Sequence, residues 1–434
     1  MKIKTHIYLL IIFFIAIIFT SCTSKKVEKV TNKNDYKAYL EVGENKKIAQ
    51  IKTEIDFWSA KLQKAPNQSS YLILLASYYS QLFQTTGKID HLYKSEALLL
   101  DANKKFINQN AGIHRSIARN YISQHRFKEA LSYLKSALAL GENKLATHKM
   151  LFDAYMELGN YELANKSLSY IQNQNDFDYL IRLAKWNDYK GNLDLAISSM
   201  EQALKIAETD NNTELKIWVY SNIADFYGHA GKINTSYQYY LKTLKEDPHN
   251  SYALKGIAWI IFSHERNSVE SLEIIKAIES NYFVPDIYLL KADIYEYQND
   301  TLQQEQALNT FYAILQSKNY GDMYNKYVVL LKSENKKTVL NAIEIAQKEV
   351  LNRPTAASYD LLAWSYFKSG AKEKALDIIQ KHTINKSFEP DILYHNAEIL
   401  KANNKLEAIL PLKNELLSSI YELGPGLEKN INNL

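Results

Sequence analysis

The side chains best suited to acid–base chemistry in this sequence are a histidine and an aspartate four positions apart. Asp225 and His229 fall on one face of a predicted helix, where they could exchange a proton. A pair of this kind is more often a polar surface contact than a catalytic dyad. No His-Glu-x-x-His motif, calcium loop, phosphate-binding glycine loop or Gly-x-Ser-x-Gly elbow accompanies it. The sequence therefore predicts no enzyme, no metal site and no cofactor.

A second chemical signal is the only cysteine of the chain, Cys22, which follows an apolar run at residues 7–19. This run is shorter than the roughly 20 apolar residues that a membrane-spanning helix needs. Thr20, Ser21 and Cys22 resemble the end of a bacterial lipoprotein signal, although Phe19 stands where an aliphatic residue is usual. The resemblance implies a signal peptide that ends at Ser21, acyl chains on Cys22 and a membrane as partner.

The charge balance argues against a nucleic-acid partner. The chain has 52 basic and 48 acidic residues, and loss of Lys2 and Lys4 with the signal leaves 50 against 48. Such a weak surplus does not build the basic surface that non-specific binding to nucleic acid needs. Residues 22–45 are polar and lack periodicity, so we expect them to form a flexible tether.

The elements that must position any site are repeated. An aliphatic residue, an alanine, two unrestricted positions and a tyrosine recur along the chain. A second small residue follows the alanine by twelve positions, and a glycine often separates the two halves. The strings are Leu75-Ala76 with Tyr79, Ile117-Ala118 with Tyr121, Ile223-Ala224 with Tyr227 and Leu362-Ala363 with Tyr366, and the small pairs include Ala118 with Ala130, Ala184 with Ala196 and Ala363 with Ala375.

Small residues at helical spacing let two antiparallel helices approach each other closely. Glycine ends the first helix by adopting the left-handed conformation, as we expect of Gly159 and Gly231. Proline then prevents continuation of the second helix, as at Pro248 and Pro354. Each unit is therefore a helical hairpin that must stack on its neighbours to bury its faces.

This pattern resembles the tetratricopeptide repeat family, whose unit is a helix–turn–helix of about 34 residues. Ala130 and Ala164 are 34 positions apart in this chain, and Ala164 and Ala196 are 32 apart. The resemblance implies an all-α, right-handed superhelical solenoid of roughly nine hairpins. We expect one array over residues 46–280 and a divergent array with a carboxyl-terminal cap over residues 281–434.

The resemblance also implies a concave groove lined by the first helix of each hairpin. The residue after each crossing alanine, and the one four positions earlier, should face this groove. A groove of this composition has mixed charge and is basic toward the amino end. The candidate groove-binding residues are Arg115, Arg119, Lys149, Asp153, Lys185, Ser221, Asp225, Asp360 and Trp364.

The predicted function is that of a lipid-anchored scaffold that binds a protein or peptide in the bacterial cell envelope. The expected location is the periplasmic face of the outer membrane, because no acidic run follows Cys22. The alternative is a glycan-binding lipoprotein for nutrient capture, a class that usually carries an acidic and aromatic segment after the cysteine. Residues 23–30 lack that segment. A hydrolase is disfavoured because the helical pattern continues to the carboxyl-terminal region.

Overall fold

A computed structural model describes residues 28–434, and within this range the chain consists of helices and their connectors, without strands. The predicted signal over residues 1–21 and the predicted acylation site Cys22 lie outside the described residues. Among residues 28–434, no helix is both long enough and apolar enough to cross a bilayer.

The helices pair consecutively into ten antiparallel hairpins within residues 69–418, one more than the roughly nine predicted. Two single helices precede the hairpins and two short ones follow them. The helices are α1 Lys33–Leu40, α2 Lys46–Lys64, α3 Ser69–Thr86, α4 Ile89–Lys105, α5 Ala111–Ser123, α6 Phe127–Leu140, α7 Lys144–Glu157, α8 Tyr161–Tyr170, α9 Phe177–Tyr189, α10 Leu193–Thr209, α11 Thr213–His229, α12 Ile233–Glu246, α13 Ser251–Trp259, α14 Ser268–Asn281, α15 Ile287–Tyr297, α16 Thr301–Ser317, α17 Asn325–Ser333, α18 Val339–Asn352, α19 Ala356–Lys368, α20 Lys372–His382, α21 Pro390–Ala402, α22 Ile409–Ser418, α23 Ile420–Leu423 and α24 Glu428–Asn432.

The repeated small residues lie where the prediction put them, at the crossing of paired helices. All six alanines named above in pairs are fully buried: Ala118, Ala130, Ala184, Ala196, Ala363 and Ala375. Gly159 has a φ of +69° at the turn between α7 and α8, and Gly231 has the same φ between α11 and α12. The local code of small residue, glycine and apolar spacing therefore specifies each hairpin.

The hairpins form two stacked turns of a superhelix, so that residues about 195 positions apart meet. The amide of Phe283 donates to the carbonyl of Thr86 at 2.9 Å. Arg353 contacts Glu157 at 3.5 Å, a separation of 196 residues. Farther along, the ring of Tyr421 packs on Gly228. The turns and connectors of the second superhelical turn thus rest on those of the first.

The predicted flexible tether over residues 22–45 is wrong for its second half. Residues 33–40 form α1, which packs across α12 and α14, and the ring of Tyr36 is fully buried there. Val30, Tyr39 and Leu40 also contact this core. This segment reads as polar because its few apolar residues are interspersed with Lys, Asn and Asp. Their partners lie more than 200 positions away, where no local pattern could indicate them.

The ends and the predicted array boundary have distinct packing. Helix α2 is a single helix that packs against α3 and belongs to no hairpin. The predicted division between residues 280 and 281 lies at the last turn of α14, and Ile278 before it and Ile287 after it share one hydrophobic cluster. The carboxyl-terminal residues 420–427 are not an external cap, because they lie inside the superhelix against Trp259 and Ser263.

Candidate functional site: the inner channel

The first superhelical turn encloses a cavity of about 1090 Å³, which we call the first-turn cavity. Its wall comes mainly from the first helices α3, α5, α7 and α11, as the repeat geometry predicts. The indole of Trp218 is 40% exposed, whereas most large apolar side chains nearby are buried. Residues on the wall include Ser80, Gln81, Gln84, Arg115, Arg119, Met150, Ile217, Trp218, Ser221 and Tyr252.

Three of the nine predicted groove residues meet in this cavity. Arg115 donates to the carbonyl of Glu142 at 2.8 Å and is half-buried. The hydroxyl of Ser221 is satisfied within α11, because it donates to the carbonyl of Trp218 at 2.9 Å. Arg119 is exposed and forms no salt bridge within residues 28–434. The guanidinium of Arg119, like the ammonium of the exposed Lys47 on the same wall, is therefore available to an anionic ligand.

Three further predicted residues are instead engaged in ion pairs between neighbouring hairpins. Lys149 contacts Asp176 at 2.9 Å, and Asp153 contacts Arg182 at 2.7 Å. Lys185 contacts Glu157 at 2.9 Å and faces a separate concavity beside Arg353. The prediction assigned them to a ligand-binding groove, but their charges are already compensated within the protein. They stabilise the stacking of hairpins three and four more directly than they could bind a ligand.

Asp225 lines a second cavity of about 530 Å³, the inter-turn pocket, which lies between the two superhelical turns. The carboxylate accepts hydrogen bonds from the hydroxyls of Tyr240 and Tyr252. Tyr252 also lines the first-turn cavity, so its side chain contributes to the walls of both spaces. Burial raises the pKa of Asp225, and the two tyrosine hydroxyls oppose that rise. The predicted pair with His229 is not formed.

His229 contacts the carboxyl-terminal segment instead, through a hydrogen bond between its Nδ1 and Glu422. Burial lowers the pKa of His229, but the bond and the negative charge of Glu422 outweigh it and raise the pKa to about 9. In the same pocket, the surrounding protein and the nearby Glu296 raise the pKa of Asp293 to about 7. The inter-turn pocket is thus acidic, in contrast to the arginine-bearing wall of the first-turn cavity.

The last two predicted residues belong to the second superhelical turn. Asp360 is only 3% exposed, so its placement in an open groove was wrong. It bonds to Nδ1 of His395 at 2.8 Å, and the His395 ring stacks on Trp364 at 3.9 Å. Trp364 is 6% exposed and lines a third cavity, of about 1250 Å³, along α19 and α21. Both side chains mainly fix the junction of hairpins nine and ten.

Sequence reasoning missed the residues that join the two turns, such as Trp259 and Tyr421. The indole of Trp259 donates to the carbonyl of Tyr421 at 3.0 Å across 162 residues. No short-range pattern in the sequence predicts that contact. A usable signal did exist for the ion pairs, because the partners of Lys149, Asp153 and Lys185 lie 27 to 29 positions away, close to one repeat.

Two models of the tetratricopeptide repeat family match the chain, over residues 121–183 and 177–210. These residues include hairpin three, hairpin four and the turn of hairpin two. Residues 121–210 are tetratricopeptide repeats. Repeats of this family are typically non-catalytic scaffolds that bind protein or peptide partners. Among curated proteins, none matches this repeat protein significantly.

Several solved structures share the helical repeat fold at low identity. A tetratricopeptide repeat protein from Parabacteroides merdae is 16% identical, with 54% of this chain and 92% of that chain covered and a TM-score of 0.39. YrrB, described as having an unusual peptide-binding site, is 17% identical over 45% and 95%, with a TM-score of 0.28. A monomeric IFIT1 mutant with m7Gppp-AAAA is 14% identical over 76% and 76%, with a TM-score of 0.45. These likenesses concern the fold alone.

Proposed function

We propose that this repeat protein is a scaffold that binds an extended segment of a partner protein in the first-turn cavity. The observation that carries the proposal is the exposed guanidinium of Arg119 on a concave wall that also presents the indole of Trp218. Within residues 28–434, Arg119 forms no ion pair, unlike Lys149 and Lys185. The indole of Trp218 is 40% exposed and can contact a ligand. An arginine and a half-exposed aromatic ring in a concave site are typical anchors of protein recognition.

The chemistry of the wall defines the segment that would fit. Arg119 and Arg115 favour a carboxylate, from an acidic side chain or a chain terminus, at the α5 side of the cavity. Gln81 and Gln84 offer amide groups to a peptide backbone, while Met150 and Ile217 accept an apolar side chain. The partner segment is therefore polar and extended, with at least one acidic group and one apolar anchor.

The same proposal includes a lipid anchor at Cys22 and a place in the bacterial cell envelope. Its support is the sequence alone, namely the apolar run followed by Thr20, Ser21 and Cys22. Two or more acyl chains would hold the protein stably, because a single chain binds a membrane only marginally. The outer membrane and its periplasmic face remain part of the proposal.

In-cell photocrosslinking tests the binding surface. A benzoylphenylalanine replaces Gln84, which is exposed on the cavity wall, or Lys135, which is exposed on the second helix of hairpin two and does not line the cavity. We expect a discrete protein adduct from position 84 and none of that mass from position 135. Equal adducts at both positions would contradict binding in the cavity.

A second arm separates the kinds of partner. The detergent-solubilised protein is applied to an oligosaccharide array and to single-stranded RNA. We expect no saturable binding to either. Saturable oligosaccharide binding that Trp218→Ala abolishes would support the glycan-binding alternative, and RNA binding that weakens steeply with salt would contradict the predicted absence of a nucleic-acid partner.

A further inference from the structure

The amino-terminal segment, residues 28–40, is bound to the body by a dedicated set of contacts. The amides of Val30 and Thr31 donate to one carboxylate oxygen of Glu265 at 2.8 and 2.6 Å. The hydroxyl of Thr31 donates to the other oxygen at 3.0 Å, and Thr31 is only 4% exposed. Hydrogen bonds to a carboxylate are about twice as strong as neutral ones, so Glu265 holds this backbone firmly.

Helix α1 adds a second group of contacts to the same region. The Tyr36 hydroxyl bonds to Glu270, and its ring is fully buried in the core of α12 and α14. Tyr237 donates to the carbonyl of Asn32 at 3.2 Å. Lys33 forms an exposed ion pair with Glu273. We call the docked residues 28–40 the latch.

We infer that the latch fixes the outer surface of α12 and α14 toward the lipid bilayer and holds the body close to it. This inference rests on the proposed acylation of Cys22. Eight residues lead from Cys22 to Val30, and at ~3.4 Å per extended residue they reach ~27 Å. An undocked chain from Cys22 to Asn45 would reach ~80 Å by the same measure. Docking of the latch therefore shortens the linker between Cys22 and the body and attaches that linker at one defined side of the body.

The consequence is a set orientation for the whole scaffold. Because the two superhelical turns pack on each other through contacts such as Phe283 with Thr86, the body moves as one unit. Fixing α14 near the lipid headgroups therefore fixes where every hairpin stands. Leu163, which is 44% exposed on α8, lies about half a superhelical turn from the latch and should face away from the bilayer.

Energy transfer to labelled lipid tests this orientation on the full acylated chain. Val269→Cys, at a position that is 65% exposed on α14, or Leu163→Cys carries a donor dye. The chain has no cysteine other than Cys22, so each dye reports one site. Vesicles of phosphatidylethanolamine and phosphatidylglycerol carry headgroup acceptors. We expect strong transfer from position 269 and weak transfer from position 163, and equal transfer from both would overturn the inference.

Undocking the latch should remove the difference between the two positions. Glu265→Ala leaves the amides of Val30 and Thr31 without their acceptor, so their hydrogen exchange should become at least about tenfold faster. Transfer from position 269 should then fall to the level of position 163. Glu273→Ala, which removes only the exposed pair with Lys33, is the matched control and should change neither result. Transfer that is unchanged in Glu265→Ala despite fast exchange would overturn the inference.

A longer linker between Cys22 and the latch tests the same orientation in case Glu265→Ala unfolds the body. Inserting about twenty Gly and Ser residues after Ser24 adds roughly 25 Å of root-mean-square reach without touching the latch. We expect transfer from position 269 to fall while the amides of Val30 and Thr31 stay protected. The mass of the amino-terminal peptide shows whether Cys22 is acylated. An unmodified Cys22, together with no binding to vesicles, would overturn the proposed anchor and the orientation with it. Protected amides would then still report the docked latch separately.

Discussion

The smallest scale at which the fold can be tested is the alanine at a helix crossing. Ala196 is fully buried where α10 meets α9. Ala196→Leu adds three carbon atoms to a closely packed interface, which should cost about 1–3 kcal/mol of unfolding free energy. Urea unfolding followed by circular dichroism measures this cost. Ala49→Leu, on the exposed face of α2, is the control and should leave the free energy almost unchanged.

Protonation of one histidine is a second residue-scale prediction. His229 has a folded pKa of about 9, above its ordinary 6.5, because Glu422 stabilises the charged form. The pair therefore stabilises the carboxyl-terminal segment fully below pH 6.5, and this contribution is lost as pH rises through about 9. We expect the amides of Leu423 and Gly424 to exchange faster at pH 9.5 than the intrinsic pH dependence explains. His229→Gln should abolish that excess, and an excess that persists in the variant would contradict the assignment.

At the scale of elements, two glycine turns with the same φ allow the stability of a single hairpin to be compared with the stability that comes from stacking of the two superhelical turns. Gly159 and Gly231 both have a φ of +69°, but a Cβ on Gly159 would lie 2.9 Å from the carbonyl oxygen of Pro354. A Cβ on Gly231 would meet open space. Gly231→Ala should cost about 1–2 kcal/mol for the left-handed conformation alone.

Gly159→Ala should cost more than Gly231→Ala, because it also displaces the connector at Pro354. Thermal unfolding of the two variants and the parent chain gives the comparison. Equal losses would show that α7 and α8 do not rest on the second turn in solution, which contradicts the stacked arrangement.

The elements themselves were largely predictable from the sequence, whereas their charged partners were not. Alanine at a crossing, glycine at a turn and proline after a hairpin act within about 35 residues, so local patterns sufficed for the hairpins. Helix α1 was missed because Tyr36 finds its core more than 200 residues away. Lys149 and Asp153 were assigned to the groove, and their partners on the next hairpin, Asp176 and Arg182, were overlooked.

For the whole molecule, the sequence predicted a solenoid but not its stacked turns. The contact of Phe283 with Thr86 depends on small rotations that accumulate over six hairpins, and no single residue encodes their sum. The same accumulation brings residues 420–427 inside the superhelix, against Trp259 and Ser263. The place of Arg119 on the cavity wall could be predicted because it depends mainly on its own hairpin. Trp259 and Tyr421 were missed because their meeting depends on the entire array.

The most direct test of the proposed scaffold is the affinity for the partner segment recovered by crosslinking at position 84. Isothermal titration compares the parent chain with Arg119→Glu and with Lys135→Glu, which makes the same charge change on the outer surface. Loss of a charged hydrogen bond should weaken binding by at least about tenfold in Arg119→Glu. Lys135→Glu should bind like the parent. Equal affinities for all three proteins, or equal losses in both variants, would contradict binding in the first-turn cavity.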